Sequence, residues 1–177
     1  MDKREKVLSR HVVYRGHILN LRVDNVRVPS GRRAYREVIE HSPAVGLIPL
    51  TNDGKVLLVS QFRYAVDEEI LEIPAGIVEA GEDLKTAALR ELQEEVGFTA
   101  SELSLIGSFY SSPGFSNELL AIFLARGLSP SKLQEDDDEF IQIVPVEVGE
   151  LRRLIEGGRI KDCKTFAALS WLLSRDI

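Results

Sequence analysis

Apolar and charged positions alternate through roughly the first forty residues, the period-two pattern of half-buried strands. Residues 12–14 and 18–28 are β-rich runs joined by Arg15-Gly16-His17, which predicts a hairpin. Pro29-Ser30-Gly31 then turns the chain into a third run at 35–40. From residue 44 the pattern becomes almost continuously apolar. Residues 44–50 and 55–62 flank Thr51-Asn52-Asp53-Gly54, and an Asp-Gly pair between β-branched runs predicts a hairpin closed by a type I′ turn. The segment VLLVSQF in the second run is apolar enough for a central strand. Further strands are predicted at 103–110, 119–125 and 140–146.

Between residues 83 and 96 the period changes. Leu84, Ala88, Leu92 and Val96 recur at every fourth position, which predicts a helix with one face on a core. Asp83 suits its N-cap, and Gly97 its stop, with Phe98 folding back behind it. A second helix is predicted over 147–157, closed by Gly157-Gly158. Asp162 caps a third, which runs through Phe166, Leu169, Trp171 and Leu173, with Trp171 in core packing. These last two helices are expected to complete a layer over the sheet.

A chain of 177 residues, 44% of them hydrophobic, is long enough for one well-cored domain with an appended arm. Twenty-two basic against twenty-eight acidic side chains give a net charge of −6, which disfavours nonspecific binding to nucleic acid or an anionic membrane. The one cysteine, Cys163, rules out an internal disulfide and any CxxC metal site, and is expected as a buried thiol in a reducing compartment. The N-terminus is charged and carries no apolar run fit for a signal peptide or membrane span, so a soluble cytoplasmic protein is expected.

The polar flank of the 83–96 helix is where the chemistry concentrates. Glu91 and Glu95 stand one turn apart with Glu94 beside them, and only Arg90 is placed to offset them. Like charges at this spacing, and anions near a helix C-terminus, each cost about 0.3–1 kcal/mol at a surface. Two partly buried carboxylates about 4 Å apart repel by up to about 4 kcal/mol. A divalent cation reverses the sign of that interaction, and an all-oxygen donor set suits Mg²⁺ better than zinc.

The spacing around this flank is specific. Gly76 is followed after five residues by Glu82, and after seven more by Arg90-Glu91-Leu92-Gln93-Glu94-Glu95-Val96-Gly97-Phe98. This frame fills all nine constrained positions of the Nudix box, and the chain resembles the Nudix hydrolase family. The resemblance implies an α/β (α+β) fold, an α/β/α sandwich on a mixed β-sheet with an N-terminal β arm. It also implies hydrolysis of nucleoside diphosphates linked to another group, with Mg²⁺ or Mn²⁺ as cofactor. The segments PAV (43–45), QFR (61–63), EIPAG (72–76) and SPGFSNE (112–118) are similar to those of the ADP-ribose pyrophosphatase branch.

From that resemblance follow expected roles. Residues 1–42 would form an arm that builds a homodimer and part of the substrate site, and 43–177 the catalytic domain. Glu91, Glu95 and the Ala75 carbonyl would ligate metal, with Glu82 and Glu94 ligating or orienting the others. Glu139 would help position water or metal, although its neighbours in the acidic tract 134–139 share that match and the tract also reads as a solvated loop. Glu37 would accept from the adenine amino group, and Ser112 and Glu118 would flank the terminal ribose. Arg63 is either a surface charge or a fork gripping phosphate oxygens, and Glu72 either a strand-end charge or part of the substrate site. The reaction implied is ADP-ribose plus water giving AMP and ribose 5-phosphate. The alternatives are another nucleoside diphosphate derivative, such as a GDP-sugar, or a noncatalytic ADP-ribose sensor. A sensor predicts a damaged box or an attached partner domain, and the sequence carries neither.

Overall fold

The runs at 44–50, 56–59 and 120–125 are too apolar for a sheet with one wet face. The computed structural model, which describes residues 3–133 and 140–175, accordingly covers them on both sides. In chain order the elements are β1 (Lys6–Arg15), β2 (Leu19–Arg27), β3 (Arg33–His41), β4 (Ala44–Pro49), β5 (Lys55–Arg63), β6 (Glu68–Glu72) and β7 (Ala75–Ile77). They continue with α1 (Leu84–Glu91), a π-helical turn (Leu92–Val96), β8 (Phe98–Tyr110), β9 (Leu119–Pro130), β10 (Ile141–Glu147), α2 (Val148–Glu156) and α3 (Cys163–Leu173).

Contacts divide the chain into two compact units. One contains the described residues up to 43 together with 109–119, and the other contains the rest. In the first, β1, β2 and β3 form an antiparallel sheet in that order. The Gly16 N–H donates to the Leu19 carbonyl at the tight turn between β1 and β2. Segment 109–119 joins this unit through Ile39, whose N–H donates to the Phe115 carbonyl at 2.7 Å and whose carbonyl accepts from the Asn117 N–H at 3.2 Å.

The second unit holds two sheets, β10-β5-β6 and β7-β4-β9-β8, the latter mixed because β4 runs parallel to β9 and antiparallel to β7. Alternate side chains feed two cores. Ile48, Leu58, Ile122 and Leu124 pack with Leu151 of α2 and Leu169 and Leu172 of α3. Leu47, Val59, Ala121 and Phe123 pack on the other side with Ala88 of α1 and with Leu92 and Val96. Helices therefore lie on both faces, the α/β/α sandwich with a mixed sheet that the sequence led us to expect. Among the described residues no helix is long and apolar enough to cross a membrane.

The structure differs from these expectations in several places. Strands β4 and β5 do not form a ladder but enter different sheets, joined near the turn by a single Leu50–Val56 bridge. Only Gly54 there has positive φ, at 82°, so the turn is not type I′, which needs it at both central residues. The box helix is α only as far as Glu91 and continues as a π turn. Cys163 is exposed rather than buried. Phe166 is 49% exposed while Leu172 is buried, because α3 turns Ala168, Leu169 and Leu172 toward the core. Trp171 does pack against the core, with the Arg175 guanidinium 4.9 Å from its ring centre.

Candidate active site

The site is assembled where the box helix meets β7. Asp83 caps α1 by accepting from the N–H groups of Lys85 and Thr86 at 2.9 and 3.2 Å. The Thr86 hydroxyl and these amides hold its carboxyl below the usual carboxylate range. Past Glu91 the helix widens, and the Gly97 N–H reaches back to the Leu92 carbonyl, a five-residue span. That leaves the Gln93 carbonyl to accept from the Leu133 N–H at 3.3 Å, and the Gly97 carbonyl to accept from the Ser131 N–H at 2.9 Å. The Gln93 amide also donates to the Ser131 hydroxyl at 2.7 Å. Gly97, at φ 75°, then turns the chain directly into β8.

Glu91 and Glu95 are each 7% exposed, unusual burial for carboxylates and a sign that the fold holds them for a purpose. The Ala75 N–H donates to Glu95 Oε2 at 3.1 Å. A Cβ on Gly76 would lie 2.1 Å from the Glu91 carboxyl, so only glycine lets β7 lie against that group. Pairing of β7 with β4, with Ala75 opposite Gly46 and Gly76 opposite Val45, fixes this short strand.

Arg90 ties the acidic flank together. Its guanidinium grips both oxygens of Glu82 at 3.1 Å, contacts Glu91 at 2.7 Å and Glu94 at 2.8 Å, and donates to the Ile77 carbonyl at 2.9 Å. Hydrogen bonds from Arg90, foremost, hold the Glu82 carboxyl below its ordinary value. Glu82 also accepts the Glu79 N–H at 3.0 Å, so its carboxylate shapes the loop as well as the cluster.

The donor set suits a hard divalent cation. The carboxylates of Glu91, Glu94 and Glu95 lie along one helix, with the Ala75 N–H against Glu95 and no cysteine among them. Among the described residues no three acidic, histidine or cysteine side chains already converge as a closed cage. The carboxylates are instead oriented by Arg90 and by the β7 backbone, which fits an ion that keeps several waters.

Arg63, at the end of β5, forks onto Glu72 through Nε at 2.6 Å and Nη2 at 3.0 Å. Glu72 is 1% exposed and also pairs with Lys164. The structure therefore brings these two predicted residues together as an ion pair. Lys164, which pairs with Glu72, and Thr165, which accepts the neighbouring Ile73 N–H, are contacts that sequence reasoning missed.

Glu37, Ser112 and Glu118 belong to the N-terminal unit. Glu37 lies exposed on β3 opposite Val23. Ser112 accepts at its carbonyl from the N–H groups of Phe115 and Ser116. Glu118 accepts from the Ser111 hydroxyl at 2.5 Å and lies 3.6 Å from His41 Nδ1. Glu139 falls outside the described residues.

Residues 40–166 match the NUDIX domain, and residues 5–39 match the nucleoside diphosphate sugar hydrolase N-terminal domain. The chain belongs to the Nudix family and is a Nudix hydrolase, a class that depends on divalent metal. Among its relatives is an ADP-ribose pyrophosphatase of Bacillus subtilis, 39% identical over 95% of this chain and 92% of that protein. A methanol dehydrogenase activator of Bacillus methanolicus is 37% identical over the same shares. An ADP-ribose pyrophosphatase of Mycobacterium tuberculosis is 34% identical over 86% of this chain and 75% of its own length. A crystal structure of an ADP compounds hydrolase shares the fold with a TM-score of 0.87 at 23% identity, covering 98% of this chain and 96% of that one.

Proposed function

We propose that the protein hydrolyses the diphosphate bridge of ADP-ribose to AMP and ribose 5-phosphate with Mg²⁺, Mn²⁺ serving in its place. One observation carries the reading: two nearly buried glutamates, Glu91 and Glu95, are seated directly against the Ala75–Gly76 backbone. A diphosphate resists attack because its oxygens are already anionic. A divalent cation held here would supply charge withdrawal from those oxygens and a lowered pKa of water. Glu91, Glu95 and the Ala75 carbonyl would hold it, Glu94 and Glu82 would orient the set, and Arg90 keeps the flank from repelling itself. Arg63 grips the diphosphate, with Glu72 as its anchor. Glu37, Ser112 and Glu118 recognise the adenine and terminal ribose, and Glu139 positions water.

The arm makes the protein a homodimer. In support, β1 is exposed along its length and presents Val7, Leu8, Val12, Val13 and Tyr14. A cytoplasmic setting accords with the lone Cys163. The test is a panel of ADP-ribose, other ADP compounds, GDP-sugars and dinucleotides, each with Mg²⁺ and with Mn²⁺. ADP-ribose is expected to give the highest kcat/KM, with AMP as product. A GDP-sugar preferred by tenfold or more would overturn the substrate assignment while leaving the metal site intact.

A further inference from the structure

The first turn of α3 grips the segment that leads into β7. Thr165 is fully buried, accepts the Ile73 N–H at 2.8 Å and donates to Asp162 at 2.5 Å. One residue earlier, Lys164 lies 2.9 Å from Asp162 and forms its second ion pair with Glu72 Oε2. Glu72 Oε2 also takes Arg63 Nη2, while Oε1 takes Arg63 Nε. The Glu72 side chain is 2% exposed and that of Arg63 39%, so a chain of contacts runs from a helix start, through a buried carboxylate, to a partly exposed arginine.

A carboxylate gripped by one cation alone can swivel about its last side-chain bond and carry its partner with it. Lys164 removes that freedom, and it also shares the charge of Glu72. Without it, Arg63 would both lose its fixed direction and be drawn more strongly to Glu72, at the expense of any other anion.

We propose that Lys164 is a positioning residue for substrate binding: by holding Glu72 it sets the direction from which the Arg63 guanidinium meets the phosphate oxygens. This rests on the reading of Arg63 as the group that grips the diphosphate. The test compares Lys164→Met, Lys164→Arg, Arg63→Ala and the Lys164→Met/Arg63→Ala double variant, with ADP-ribose at saturating Mg²⁺, reading KM, kcat and Tm. Lys164→Met is expected to raise KM about tenfold with kcat within about twofold, and Lys164→Arg to recover most of the loss. In the Arg63→Ala background Lys164→Met should add less than about twofold, because the two residues act as one unit. Should Lys164→Met not fold, Lys164→Gln carries the same expectation. An unchanged KM in Lys164→Met, or effects that multiply in the double variant, would assign Lys164 a merely structural role and overturn the proposal. An Arg63→Ala variant with unchanged KM would instead sink the reading of Arg63, and the proposal with it.

Discussion

Gly76 and Glu95 are the residues on which the site turns. Alanine at position 76 would drive a methyl group into the Glu91 carboxyl, and since that group ends a flexible side chain the fold survives while the carboxylate moves. Gly76→Ala is expected to lower kcat about 10²-fold, the effect of a misplacement of about 1 Å, with little change in Tm. Glu95→Gln keeps an oxygen for the Ala75 N–H but removes the charge. It is expected to lower kcat by about two to four orders of magnitude in a normally folded protein, which steady-state kinetics and thermal unfolding together would check. The glycine and the glutamates were legible in the sequence because their frame is local and fixed. The clamp by Lys164 and Thr165 was not: a Lys-Thr pair after an Asp cap is an ordinary helix start, and its partners lie 92 residues away.

Among elements, the box helix was legible from apolar spacing and its Asp83 cap. Its π turn was not, because the register change is supported by Ser131 and Leu133, which no periodicity links to Gln93. The same holds for β4 and β5, whose apolar runs could not say which sheet each strand would join. Arg90 fastens this helix to its own loop, so Arg90→Met, leaving three carboxylates without their shared partner, is expected to destabilise the protein by about 2–3 kcal/mol in denaturant unfolding. The start of α3 gives a pH signature. Burial alone would raise the Asp162 carboxyl, but Lys164 and the Thr165 hydroxyl bring it below its ordinary 3.8. A depressed carboxyl contributes stability that is complete above the unfolded value and lost as pH falls through the folded one. The Tm gap between wild type and Asp162→Ala is therefore expected to be full at neutral pH and to narrow below 3.8. A gap independent of pH would contradict the role of its charge.

On the scale of the whole molecule, the continuous apolar runs announced strands covered on both faces, and the two cores on opposite sides of β4, β5 and β9 bear this out. The membership of 109–119 in the N-terminal unit was hidden, since it depends on backbone bonds to Ile39 rather than on any pattern in SPGFSNE. The exposed apolar positions on β1 lead us to expect a dimer by light scattering, and a monomer with full activity would dissociate the arm from function. On the proposed function, the buried glutamates of the box helix hold a divalent cation. Mn²⁺ binding followed by electron paramagnetic resonance, in wild type and in a folded Glu91→Gln/Glu95→Gln variant, tests it most directly. Wild-type protein is expected to bind the ion and the double variant to bind it at least about tenfold more weakly. Equal binding by both would contradict it.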